Sequence, residues 1–321
     1  MIYFISSGGP ECQVIFHDLK SDSRLHYIDS PYVRLNSLIN YFRQLHNSAF
    51  IARRINLPLK RIWNKTYSLE KIDVKQAKKS IFIFVNTSVQ KYELSYLKDF
   101  QRKYSATFYL FMLDSVETER GKEVAPYIRE NIFKKIFTFD KKDSKKYGFQ
   151  YWIQPLSKIL GEEEEILFDL YYLGRSKGRQ LELNTVAESV KGLRTKLLVF
   201  SSESGWHPEI KTISKSISYL ENVTFLKQSN VILEVVQKNQ SGNTLRYQEA
   251  VIYNKKLLTN NADIVNLDFY NPKYMKVFSD VNNIDVDWIR QQEEVNYHYS
   301  NEFSSIRFID YIESDNERGN V

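Results

Sequence analysis

The sequence predicts an α/β fold of two Rossmann-like halves, each built on a parallel sheet. Strand-length segments rich in apolar residues recur at residues 1–5, 80–85, 106–113, 135–140, 166–173, 196–201 and 230–236. The continuous run over 81–85 fits a strand buried on both faces, as in parallel sheets. Helix-like segments separate the runs, and that alternation predicts βα units. The 321 residues suffice for two domains of ordinary size. Pro155 and the stretch Gly161-Glu162-Glu163-Glu164-Glu165 mark a boundary between them. The expected division is 1–155, 165–300, and a C-terminal helix and tail over 301–321.

In the first half, residues 1–5 form a buried strand that stops at Ser6-Ser7-Gly8-Gly9-Pro10, a strong turn signal without the full dinucleotide fingerprint. Tyr32, Leu35, Leu38, Ile39, Phe42 and Leu45 fall at helical spacing, which predicts an amphipathic helix over 32–48 with its apolar stripe toward the core. Residues 53–79 are strongly basic, with Arg53, Arg54, Lys60, Arg61, Lys65, Lys71, Lys75, Lys78 and Lys79 around Trp63 and Tyr67. This is either a solvated surface or a patch for anionic lipid or a pyrophosphate-linked acceptor, since each basic residue near an anionic membrane gains about 1 kcal/mol. Asp114 and Asp140 close two of the predicted strands. Open α/β sheets gather ligands at that edge, so Asp114 is a candidate base for an acceptor hydroxyl; either aspartate equally suits a helix cap.

In the second half, the strand over 166–173 runs into Gly174-Arg175-Ser176-Lys177-Gly178-Arg179. Glycine lets backbone approach a ligand, and three cations suit a diphosphate. They also oppose the dipole of the helix they precede, a local inconsistency of the kind found at sites. Trp206 and His207, in the loop 202–208, can stack on a base or be ordinary surface residues. The strand over 230–236 leads to Gln240-Ser241-Gly242-Asn243-Thr244-Leu245-Arg246-Tyr247-Gln248-Glu249-Ala250. This reads as a small-residue turn and a helix start capped by Ser241 or Asn243. Free amides at a helix start bind anions. Arg246 adds a forked donor, and Glu249, three residues on, can reach a sugar hydroxyl. A plain capped helix with a surface Arg and Glu is the alternative.

The bulk properties narrow the class. Hydrophobic residues are 42% and charged residues 26%, as in soluble globular proteins. A net charge of +6 without a nucleic-acid-binding motif does not indicate nucleic acid as a partner. No apolar run approaches a membrane span, and residues 1–5 are too short for a signal peptide. Cys12 is the single cysteine, so no internal disulfide is available, which fits a reducing compartment. With 22 Tyr and 20 Phe the core is expected to be aromatic. The expectation is a cytoplasmic protein, free or in peripheral contact with the inner membrane surface.

Read as Ser-Gly-x-Thr-x-Arg-x-x-Glu-Ala, residues 241–250, followed by Asn254-Lys255-Lys256-Leu257-Leu258-Thr259-Asn260-Asn261, resemble the donor-site segment of bacterial glycosyltransferases of the GT-B fold. They are especially similar to the family of lipopolysaccharide core or capsular polysaccharide biosynthesis proteins. The 174–179 turn, Asp114-Ser115-Val116, residues 137–149 and Asp268-Phe269-Tyr270-Asn271-Pro272 resemble the same family. The resemblance implies two parallel-sheet domains facing across a cleft, the first for the acceptor and the second for the donor, with the C-terminal helix returning to the first. It implies a hexosyltransferase moving a sugar from a nucleotide-sugar donor to a saccharide or lipid-linked acceptor in capsule or lipopolysaccharide biosynthesis. The implied donor-binding residues are Gly174, Arg175, Lys177, Arg179, Gly242, Asn243, Thr244, Arg246 and Glu249, with Glu249 on the ribose. The implied catalytic residues are Asp114 and Arg246. The scheme requires no cofactor and no metal. One departure stands out: retaining members carry two Glu eight positions apart, and Ser241 stands eight before Glu249. Stereochemistry is therefore open, and two other readings stand beside transfer, a catalytically degenerate partner protein and a sugar-nucleotide epimerase.

Overall fold

The structure, a computed structural model, describes residues 1–46, 60–162, 164–237 and 244–318. The chain forms two compact units, one of Met1–Ser157 with Ser305–Val321, the other of Lys158–Ser304.

The first unit holds a six-stranded parallel sheet of β1 (Ile2–Ile5), β2 (Leu25–Ile28), β3 (Ile81–Val85), β4 (Thr107–Met112), β5 (Lys135–Thr138) and β6 (Gln150–Tyr151), in the order β2-β1-β3-β4-β5-β6. Alternate residues of a strand face opposite sides, and here both sides are apolar. Tyr3, Ile5, Phe82, Phe84, Phe108 and Leu110 enter one core, which includes Leu97 and Phe100 of a helix over Leu94–Tyr104. Ile2, Phe4, Ile81, Ile83, Tyr109 and Phe111 enter the other, completed by Phe308, Ile309 and Ile312 of the C-terminal helix Ser305–Arg318. The Phe308 ring meets those of Phe111 and Phe137 edge-on, at 5.2 and 4.8 Å between centroids. Arg24 bridges Asp310 and Glu313, and Lys135 holds Asp315, which fixes the helix along its length.

The helix expected over 32–48 is shorter and faces the other way. It spans α1 (Ser37–His46) within the described residues, and the Asn36 side chain accepts from the Ile39 amide at 2.8 Å. Leu38, Ile39, Phe42 and Leu45 are exposed, Leu38 by 64% and Phe42 by 53%. The side turned inward carries Arg43, whose guanidinium lies 3.6 Å from the centre of the Tyr32 ring and bonds Asn40 at 2.7 Å. Planar guanidinium on an aromatic face is a favourable stack, and it sets the orientation that hydrophobic spacing alone left undetermined. Arg53 and Arg54 of the basic stretch lie outside the described residues.

The second unit is again a parallel six-stranded sheet: β7 (Phe168–Arg175), β8 (Thr195–Phe200), β9 (Ile210–Ile213), β10 (Ser229–Glu234), β11 (Lys256–Thr259) and β12 (Met275–Val277), in the order β12-β11-β10-β7-β8-β9. The first strand lies between the second and the fourth, the strand order of dinucleotide-binding Rossmann sheets. Its longer helices are α2 (Gln180–Ser189), α3 (Tyr219–Lys227) and α4 (Leu245–Ile252). Leu170, Tyr172, Leu197, Val199, Val231 and Leu233 from the strands pack with Leu183, Val186 and Ala187 of α2. No helix among the described residues is long and apolar enough to cross a membrane.

Candidate functional site

In an open parallel sheet, ligands collect beyond the carboxyl ends of the strands where neighbouring strands lead to opposite sides. In the second unit that point lies between β7 and β10, since β7 leads on to β8 and β10 to β11. The two segments singled out in the sequence both begin there.

After β7 the chain turns through Lys177 at φ +41° and Gly178 at φ +75°. Glycine accepts that conformation freely and lysine does not. Arg179 folds back and donates to the carbonyl of Val235, just past β10. Gln237 donates to the Lys177 carbonyl at 3.1 Å. From the other side, Arg246 of α4 donates to the Leu173 carbonyl at 2.8 Å. The turn and the helix, far apart in sequence, thus share one corner of the sheet.

Thr244 caps α4, accepting from the Tyr247 amide at 3.3 Å. It takes the position expected of Ser241 or Asn243, which lie with Gly242 outside the described residues. The Thr244 hydroxyl also donates to Glu234, the last residue of β10, and Thr259 at the end of β11 donates to the other oxygen of Glu234 at 2.6 Å. Sequence reading missed Glu234, although an acidic residue ending an apolar run is a visible oddity. It is 3% exposed. Burial pushes its carboxyl above the ordinary range, against the lowering effect of the two hydroxyls.

Arg246 and Glu249 pair with each other. Glu249 is 2% exposed and holds Arg246 and the Asn222 amide, the latter at 3.0 Å. Arg246 also meets the Asn222 carbonyl oxygen at 3.3 Å, and that oxygen accepts from the Tyr171 hydroxyl at 2.8 Å. A carboxylate almost removed from water requires partners, and the arginine one turn earlier is within reach. The pair is part of a buried network that takes in Asn222 and Tyr171. Gly174 also has a packing reason: a Cβ there would lie 2.4 Å from the Tyr172 hydroxyl. That hydroxyl is buried without a hydrogen-bond partner among the described residues. Arg179 is spent on backbone carbonyls.

Two of the expected cations remain at the corner. Arg175 is exposed, with its guanidinium 4.6 Å from the centre of the Phe200 ring. Lys177 is exposed and its ammonium has no partner among the described residues. The loop carrying Trp206 and His207 is pinned along α2: Gln180 donates to the Ser204 carbonyl at 2.7 Å, and the His207 ring meets Glu188 at 2.7 Å. His207 is therefore engaged with α2.

In the first unit, Asp140 caps the helix Lys141–Tyr147, accepting from the amides of Lys142 and Asp143. Asp114 lies just past β4, half-buried, and accepts from the Asn86 side chain at 2.9 Å. Asn86 follows β3 and also accepts from the Leu113 amide at 2.8 Å, so it fixes the strand end that carries Asp114. Asp285-Val286-Asp287 is an Asp-x-Asp tripeptide of the type that can hold metal; Asp285 instead caps the Trp288 amide and pairs with Lys276 at 2.7 Å. No group of three potential metal ligands occurs among the described residues.

No protein-family model matches the chain, and no curated protein matches it. Solved structures similar to it include several glycosyltransferases. An alpha-glucosyltransferase in complex with UDP and a 13-mer DNA is 10% identical over 84% of this chain and 80% of its own, with a TM-score of 0.48. AviGT4, a glycosyltransferase involved in avilamycin A biosynthesis, is 10% identical over 69% of this chain and 87% of its own, at 0.43. TarM from S. aureus, in complex with Fondaparinux, alpha-GlcNAc-glycerol and UDP, is 13% identical over 66% of this chain and 48% of its own, at 0.42.

Proposed function

We propose that the chain is a GT-B-type glycosyltransferase that moves a hexose from a nucleotide-sugar donor to a saccharide or lipid-linked acceptor, in cytoplasmic assembly of a cell-surface polysaccharide. The observation that supports this is the meeting of the 174–179 turn and the start of α4 at the point between β7 and β10. The diphosphate of the donor rests there, beside Lys177 and Arg175. The bond between the anomeric carbon and the diphosphate breaks, and the acceptor oxygen forms the new bond to that carbon. Asp114 takes the acceptor's proton. The charge that develops on the departing diphosphate falls to the two cations, and preorganised charge of this kind supplies several kcal/mol. The reading calls for no metal.

The test is thermal denaturation with a series of nucleoside diphosphates, comparing the wild type with Lys177→Ala. At a ligand concentration about a hundredfold above Kd, binding adds about 2.7 kcal/mol, which corresponds to a rise of roughly 5–10 °C. The variant is expected to melt as the unliganded wild type does and to lose most of the rise. A wild type indifferent to every nucleoside diphosphate would instead favour a degenerate partner of an active transferase. The inward pairing of Arg246 with Glu249 is the observation on that side.

A further inference from the structure

The helix α1 is mounted with its polar side against the protein and its apolar side outward. Leu38, Ile39, Tyr41, Phe42 and Leu45 are all exposed, while Arg43 turns inward onto the Tyr32 ring and is held by Asn40 of the same helix. The seat beneath is built: Tyr32 bridges Tyr67, and the Val33 amide bonds the Thr66 carbonyl at 2.9 Å. The Trp63 indole donates to His46 at 3.0 Å and ties the end of the helix to the segment 60–66. A contiguous apolar face on a firmly seated helix marks a surface that meets something apolar.

The charge around it says what. Among the described residues, 31–46 and 60–79 contain nine Lys and Arg against two acidic residues, Glu70 and Asp73, an excess larger than the +6 of the whole chain. Arg34, Arg61 and Lys65, near the helix and its tie, are exposed. A second copy of the chain on this face would set the same positive stretch against itself, because a two-fold interface is self-complementary. An anionic lipid surface satisfies both properties: amphipathic helices lie in the interface with the apolar face down, and nearby cations meet the headgroups.

We infer that α1 docks the first unit onto an anionic phospholipid membrane, with Leu38, Phe42 and Leu45 entering the boundary between headgroups and acyl chains. This stands independently of the donor site in the second unit. The test is sedimentation of the full chain with vesicles of phosphatidylglycerol and phosphatidylcholine, or of phosphatidylcholine alone, at low and high salt. The wild type is expected to pellet with the anionic vesicles, less so in high salt, and poorly with the neutral ones. The double variant Leu38→Glu, Phe42→Glu is expected to lose about tenfold or more in affinity, given the apolar area each side chain would bury. Both substitutions are at exposed positions, and an unchanged circular dichroism melt verifies the fold. Arg61→Glu with Lys65→Glu is expected to weaken binding at low salt. Three results overturn the inference: no binding to anionic vesicles, equal binding by the Leu38 and Phe42 variant, or a wild-type dimer in sedimentation equilibrium that this variant abolishes.

Discussion

The inward network around Arg246 makes a prediction that separates a structural residue from a ligand-binding one. In Arg246→Ala, Glu249 keeps only the Asn222 amide among the described residues, and the Leu173 carbonyl loses its side-chain donor. Glu249 is 2% exposed and the Arg246 side chain 21%, so solvent compensates little. Removing one partner of a buried ion pair costs about 3–5 kcal/mol. The second unit has about 150 residues, a size at which each kcal/mol moves the melting temperature by roughly 2–4 °C. At the low end, about 3 kcal/mol corresponds to a loss of roughly 6–12 °C in its transition. The assay is differential scanning calorimetry of the full chain without ligand, beside Lys177→Ala, which is expected to melt with the wild type. Arg246→Ala with Glu249→Gln isolates the coupling between the two, because removing both charges leaves no isolated one. The double variant is expected to recover part of the loss. An Arg246→Ala protein that melts within a degree or two of the wild type, yet no longer responds to nucleotide, would show that the arginine is held for a ligand and that the network reasoning fails.

Two other perturbations follow from buried groups at the same corner. Burial raises the Glu234 carboxyl, so the native state holds that proton more tightly than the unfolded chain, and stability falls as pH rises above the unfolded value of about 4.3. Glu234→Gln is expected to match the wild type in acid and exceed it at neutral pH in denaturant midpoints; a variant weakened equally at both contradicts this sign. Gly174→Ala is expected to cost about 1–3 kcal/mol by overpacking against the Tyr172 hydroxyl, and Tyr172→Phe should recover part of that cost. Tyr172→Phe alone should be neutral or stabilising, by about 1 kcal/mol, since it deletes a buried hydroxyl with no partner. A substantial loss from that variant would mean the hydroxyl has an unseen partner.

The parallel sheets could be read from the sequence because their central strands are buried on both faces. β3 is apolar throughout, and β4, β7, β8 and β10 are each built on a mainly apolar stretch. The edge strands β2, β6 and β9 escaped detection, since they are only two to four residues long and partly exposed. Periodicity located α1 and gave it the wrong orientation, apolar stripe to the core, because amphipathic spacing specifies two faces and leaves their direction to tertiary contacts such as Arg43 on Tyr32. The meeting of the 174–179 turn with α4 joins two segments that turn chemistry and cation placement single out in the sequence. What was not legible was the fate of Arg246 and Glu249. Their three-residue spacing permits either mutual pairing or separate contacts. The choice falls to Asn222 and to the Leu173 carbonyl, which local sequence does not bring near them. Asp140 shows the same limit: its position at a strand end suits a site, and two local amides make it a cap.

The helix that closes the first unit comes from the last part of the chain. Phe308, Ile309 and Ile312 have no exposed surface against the sheet whose strands were made long before them. During synthesis, therefore, the part of that side not covered by Cys12, Ile15, Phe16 and Leu19 stays open while residues 158–304 emerge from the ribosome. The core of the first unit is complete only after the second unit has been made. A fragment ending at residue 157 should aggregate where the whole polypeptide does not, and supplying residues 305–318 as a separate peptide should restore its solubility.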